Sequence, residues 1–225
     1  AAHNGTYIRL AYADDLTGPW TTYQPGTLRL EQTVCRHHVA SPDVHVDEER
    51  REIRMYFHGP GEGGQFTHLA VSSDGLNFTP FPEVLGRFYF RVFRWGEYWY
   101  ALGMPGIFYR SRDGVTGFEQ GPTLFTPDMR HNAVLVEGET LHVWYTNAKD
   151  CPERILYSMI DLAPDWTAWQ ATPPVVVLEP EREYEGADLP LVPSARGQIH
   201  VRARQLRDPA IFREGEKTYL LYAVA

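Results

Sequence analysis

Residues Arg207 to Ala223 read RDPAIFREGEKTYLLYA. Apolar residues fill both halves, and Glu214-Gly215-Glu216 separates them as a tight turn. The pattern predicts two antiparallel strands headed by an Asp-Pro pair at Asp208. It returns at His131–Thr146, HNAVLVEGETLHVWYT, and at Tyr89–Gly103, YFRVFRWGEYWYALG. Superposing Gly215, Gly138 and Gly96 puts Asp208, His131 and Tyr89 at one position, the start of the first strand. A looser copy, DVHVDEERREIRMYF, begins at Asp43 with a charged turn in place of Gly-Glu. Four copies of a two-strand unit mark a repeat architecture.

A second repeat follows in phase. After each strand pair comes another strand, then Asp with a small or turn residue, then an aromatic. The copies pair Asp15 with Trp20, Asp74 with Phe78, Asp113 with Phe118 and Asp161 with Trp166. Asp-Gly between strands favours a tight hairpin, because Gly accepts positive φ without a steric cost. The full unit is four strands, repeating every ~40 to 60 residues, the period of a propeller blade. The predicted fold is an all-β propeller of four-stranded antiparallel blades in one domain over residues 1–225, with incomplete first and last blades. Strands are expected at Tyr7–Ala13 and Trp20–Tyr23, with a mobile GPGEGGQ loop after His58 and a fourth strand at Thr167–Gln170. Residues 179–206 break the rhythm, and long loops in compact domains are commonly functional or disordered. The chain opens and closes in mid-pattern, which favours a fragment over a ring closed by its own ends.

The 225 residues include 13 Tyr, 11 Phe and 6 Trp, a load that suits packed sheets. A net charge of -8 argues against nucleic acid or an anionic membrane as partner. No apolar run reaches the ~20 residues of a membrane helix. The two cysteines, Cys35 and Cys151, read as reduced thiols, and a cytoplasmic location is expected.

In a propeller the first strand of each blade lines the central channel, so groups at the starts of those strands converge on one mouth. Here they are Asp43, Arg91, His131 and Asp208, joined from neighbouring loops by His37, His38, Glu185, Asp188 and Arg207. Carboxylates, aromatic faces, Arg and His together suit a carbohydrate. Each residue also has a plain structural reading. Asp-Pro at Asp208 is a common turn device, Arg207 serves to pair a carboxylate, and Glu185 lies in a charged loop, EREYEGAD, that suits a solvated face. Asp188 competes with Glu185 for one role. No cofactor or metal is expected; His37, His38 and His131 leave a channel metal such as calcium as the alternative.

The segments ASPDVHVDEERREIRMYFHG, LRDPAIFREGEKTYLLYA, IRLAYADDLTGPW and EGADLPL resemble the five-bladed β-propeller glycoside hydrolases of family 43, with families 32, 62 and 130 as relatives. The resemblance implies a glycosidase acting on an oligosaccharide or glycan. It implies Asp208 as general base, Asp43 as the carboxylate that tunes and orients, and Glu185 as general acid, with His37, His38, Arg91, His131, Asp188 and Arg207 around the sugar. The family order along the chain is Asp-Pro, Pro-Asp, Glu; here it is Pro-Asp, Glu, Asp-Pro. The alternatives are a phosphate-dependent phosphorylase using Arg and His, and a non-catalytic carbohydrate-binding propeller.

Overall fold

The computed structural model describes residues 5–197 and 199–225. The chain forms two compact units, residues 1–90 and 91–225. In the first, β1 (Leu10–Tyr12) and β2 (Thr21–Tyr23) make a two-stranded sheet around the Asp15 turn. A larger sheet follows in the order β3 (Ala40–Asp47), β4 (Glu52–Gly61), β5 (Gly64–Ser72), β6 (Thr79–Pro80), and β7 (Gly86–Arg87) also pairs with β5. The second unit holds the four-stranded sheet β8 (Arg91–Trp95), β9 (Tyr98–Gly103), β10 (Ile107–Ser111), β11 (Glu119–Thr123). Next come β12 (Met129–Glu137), β13 (Thr140–Asn147), β14 (Ile155–Asp161), β15 (Val175–Leu178), then the hairpin β16 (Leu206–Glu214), β17 (Lys217–Val224). Every strand pair is antiparallel.

Three expected element boundaries move. The first two strands shorten to Leu10–Tyr12 and Thr21–Tyr23. The GPGEGGQ stretch is no loop: β4 and β5 pair out to Gly61 and Gly64, leaving Glu62-Gly63 as a two-residue turn. Gly63 sits at φ +82, the left-handed value such a turn demands. Residues 167–170 form no strand either. Asp165 accepts a hydrogen bond from the Thr167 amide at 3.0 Å and starts a 3-10 turn over Trp166–Ala168. That turn swings Trp166 and Trp169 into the core, and the β-branched run Val175–Leu178 supplies the fourth strand instead.

Two local devices repeat. Asp74 Oδ1 accepts from the Leu76 and Asn77 amides at 2.9 and 2.8 Å and from Ser72 Oγ at 2.8 Å. Asp113 Oδ1 repeats the set with Val115, Thr116 and Ser111, at 2.7, 2.9 and 2.9 Å. The second device is a bulged corner near the head of a first strand. Pairing skips a step between Arg130 and Ala133, and again between Arg207 and Ala210. His131 (φ +47) and Asp208 (φ +48) occupy those corners in the left-handed region, as does Tyr89 (φ +68) before β8. The three residues aligned on their turn glycines thus share one backbone conformation, costly for a side chain other than Gly at roughly 1–2 kcal/mol. The looser copy is corrected by two residues. Its register break lies between Ala40 and Asp43, and its left-handed residue is Ser41 at φ +51, so Ser41 and not Asp43 is the counterpart of Asp208.

The main core fills the space between the sheets β8–β11 and β12–β15. Tyr100 stacks on Phe93 at 5.5 Å and meets Trp169 at 4.9 Å, while Phe108 meets Trp169 edge-on at 5.5 Å. Leu102, Met129, Leu141 and Val143 close the gaps with no exposure. Gly121 has to be glycine, because a Cβ there would overlap the Trp166 ring. The first unit has a smaller core of Ile8, Leu28, Val39, Met55, Phe57, Ala70 and Phe78.

Two outcomes follow for stability. Leu102→Ala removes a fully buried side chain and is expected to cost about 2–5 kcal/mol in urea unfolding. Slight burial raises the Asp113 carboxyl, but the amides of Thr116 and Val115 and the hydroxyls of Ser111 and Thr116 outweigh it and hold it at about 2. A depressed folded-state value means stability that is present above the unfolded value near ~3.9 and lost as pH falls towards the folded one. Asp113→Asn should therefore melt below the parent at pH 7, and the gap should close as pH drops through that window.

Candidate functional site

The second unit carries a buried polar cluster at the heads of β12 and β16. Its centre is Glu153, with no exposure, in the connection between β13 and β14. Arg207 Nε lies 3.0 Å from Glu153 Oε2, and Ser194 Oγ donates to the same oxygen. Thr146 Oγ1 donates to Oε1 at 2.6 Å, with Arg130 Nε at 3.8 Å and His131 Nδ1 at 3.6 Å. Burial alone would raise the Glu153 carboxyl. Hydrogen bonding with His131 and the charges of Arg130 and Arg207 outweigh it and keep it ionised.

The same contacts fix the imidazole. Arg130 Nη2 and Nε lie 2.9 and 3.2 Å from His131 Nε2, so that nitrogen accepts and the ring proton sits on Nδ1, towards Glu153. Burial pushes the His131 pKa down, so the ring is neutral at pH 7. Arg130 also donates to the Ala195 and Gly197 carbonyls at 2.5 and 3.3 Å, and Arg207 donates to Gln205 Oε1 at 2.6 Å. These bonds fasten part of the long 179–206 segment onto the strand heads. Asp208 stands at the rim with its side chain 35% exposed, Oδ1 3.5 Å from His131 Nε2. His131, Arg207 and Asp208, read as site residues from the sequence, therefore do meet. Only Asp208 of the three presents itself to solvent.

Glu185 is not on a solvated face. It is buried, at 3% exposure. Its Oε2 accepts from the Glu181 and Arg182 amides at 2.8 and 2.9 Å, and Oε1 accepts from Tyr222 Oη at 2.5 Å. Burial would raise this carboxyl, but those three bonds outweigh it and lower its pKa, while burial and the carboxylate push the Tyr222 phenol up. The left-handed Gly186 (φ +78) closes this 3-10 turn. Tyr222 lies in β17 opposite the Asp208-Pro209 bulge, which ties Glu185 to the same end of the last hairpin. Asp188 is exposed nearby in sequence, and Arg91 opens β8, paired with Leu102.

In the first unit Asp43 lies in β3 with its Oδ2 2.9 Å from His45 Nε2. His37 is exposed at φ +71, whereas His38 is buried with its ring 6.3 Å from that of His58. Burial lowers the His38 pKa, which makes it a neutral packing residue at pH 7. Among the described residues no group of three or more His, Cys, Asp or Glu is placed to hold a metal ion, and no helix is long and apolar enough to cross a membrane. Both cysteines are free thiols.

Sequence reasoning missed Glu153, Thr146, Ser194 and Gln205. Nothing in KDCPERI sets Glu153 apart from an ordinary turn acid; only the two arginines folded onto it reveal its part. Glu153→Gln strips the charge that Arg130 and Arg207 share inside the protein. The expected loss is about 3–5 kcal/mol in chemical denaturation, the scale for breaking a buried ion pair.

No protein-family model matches the sequence. Solved structures do share the fold. A thermostable family-43 glycoside hydrolase superposes with TM-score 0.61 at 12% identity, over 97% of this chain and 77% of its own. An endo-1,4-beta-xylanase from Bacteroides thetaiotaomicron gives 0.66 at 11% identity, over 95% and 74%. The GH43_1 enzyme from Xanthomonas citri gives 0.64 at 11%, over 95% and 73%. The fold is thus that of the family-43 glycoside hydrolases. In sequence, uncharacterized protein R118 of Acanthamoeba polyphaga mimivirus is 34% identical over 253 aligned positions, spanning 99% of this chain and 71% of that protein. At that identity and span, the chain belongs to the family of this mimivirus protein.

Proposed function

We propose that the protein is a glycoside hydrolase, built as a single five-bladed β-propeller domain, that cleaves an oligosaccharide or glycan through carboxylates at the propeller axis. One observation carries the assignment: Asp208 is a rim carboxylate held at a left-handed corner over a rigid, buried base. The fold shared with family-43 enzymes supports it. Inverting hydrolysis needs one carboxylate to activate water and a protonated carboxyl at the leaving oxygen, ~6.5–9.5 Å apart. Asp208 takes the first role, with neutral His131 beside it, and Asp43 orients the sugar. Glu185 is the candidate acid. It can donate a proton only after Tyr222 and the two amides release it, since those bonds favour the ionised form. The phosphorylase alternative would hold phosphate with Arg36, Arg91 and Arg130 beside the histidines; of these, Arg130 spends its donors on His131 and on the Ala195 and Gly197 carbonyls.

A panel of aryl glycosides and plant glycans, read by reducing-sugar release with and without phosphate, tests the activity. Asp208→Asn should lower kcat/KM by about 10²–10⁴-fold with the melting temperature within a few degrees of the parent, because the side chain is a rim group. Undiminished turnover by both Asp208→Asn and Asp43→Asn would falsify the assignment. Phosphate-dependent turnover would move the protein to the phosphorylases.

A further inference from the structure

Asn132 is fully buried, and neither its amide nitrogen nor its side-chain oxygen has a hydrogen-bond partner among the described residues. Buried polar side chains are nearly always bonded, so this amide calls for a physical cause. The backbone does not demand an amide here. Asn132 stands one residue past the His131 corner, and the same place past the other three corners is held by Pro42, Phe90 and Pro209. Side chains without polar atoms serve three copies of this position. The fourth carries a group that is costly to keep dry.

The sheet register shows where the amide lies. Val134 pairs with Val143 and Val136 with Leu141, and this row packs on the core shared with β8–β11. Side chains two residues apart share a face of a strand, so Asn132 heads the row of Val134 and Val136. The β3 copy shows the same row, since Pro42, Val44 and Val46 line one cleft. On β13, Asn147 follows Leu141, Val143 and Tyr145 on that face and is paired with Met129, another core residue. Its Oδ1 is buried and has no partner either. Arg91 meets them from the facing sheet: it heads the row of Phe93 and Trp95 on β8, which lies against β12. The aromatic core between the two sheets therefore ends, at the strand heads, in two amides and a guanidinium. Arg130 and Thr146, paired with each other, lie on the opposite face with Glu153.

The open atoms select the ligand. Asn132 offers a donor and an acceptor, and Asn147 an acceptor. A cation would leave Asn132 Nδ2 unanswered, and an anion would leave both oxygens; water answers all three. A sugar hydroxyl shares this dual character, but Asn132 has no exposure through which a glycan could reach it. We propose that the head of the seam between the sheets β8–β11 and β12–β15 holds an enclosed hydration site, one or two ordered waters bonded to Asn132 and Asn147 beside Arg91. Buried waters commonly make about three hydrogen bonds, a complement that these atoms supply. The head of β12 is thus polar on both faces, charged towards Glu153 and hydrated towards β8.

A high-resolution crystal structure of the unmodified protein tests this. Water oxygens should lie within about 2.7–3.2 Å of Asn132 Oδ1 and Nδ2 and of Asn147 Oδ1. In solution, the Asn132 side-chain amide protons should cross-relax with water in the sense that marks a bound, long-lived molecule. In Asn132→Leu the water density at this place should be lost, because Leu keeps the branched shape and removes both polar atoms. A dry seam with the amides bonded directly to protein groups would overturn the proposal. So would a metal or halide peak in the anomalous map, or waters that persist unchanged in Asn132→Leu.

Discussion

The second unit depends on a buried ionic cluster centred on one carboxylate, Glu153. Glu153 gathers two guanidinium groups, an imidazole and two hydroxyls that come from β12, β13, β16 and the long 179–206 segment. Removing an ionised carboxylate from water is costly, and here the cost is offset only because every neighbour points at it. The consequence is registration. The heads of β12 and β16 cannot slide without uncovering a charge, so the carboxylate of Asp208 rides on a fixed platform. Specificity of position, more than net stability, is what such a network supplies.

The glycine-turn alignment made much of the fold legible in the sequence. Gly96, Gly138 and Gly215 mark hairpins that form where the pattern put them, and Asp74 and Asp113 build the turns that Asp-Gly favours. Apolar alternation could not resolve two cases. Residues 167–170 have strand-like composition, yet Asp165 caps a 3-10 turn that delivers two tryptophans to the core. In the charged turn 47–51 no glycine fixes the phase, so the pattern starts this copy at Asp43, two residues past its corner at Ser41.

The candidate site was legible in part for the same physical reason. Asp208, His131 and Arg207 announce themselves because they recur at strand heads. Glu153 and Ser194 come from connections that obey no period, and their importance arises only from which strands they bridge. Glu185 reads as solvated because it lies in the charged loop EREYEGAD, whose Glu181, Glu183 and Tyr184 are indeed exposed. A local backbone turn and one distant phenol bury it nonetheless.

The left-handed corner has a wider consequence. Four copies of it carry Ser41, Tyr89, His131 and Asp208, residues of unlike size, polarity and acidity, on one backbone geometry. The scaffold therefore treats this position as a socket whose occupant can be exchanged while the strand behind it stays as it is. Divergence at these four sockets would let relatives change the chemistry they perform, or lose it, without relearning how to fold.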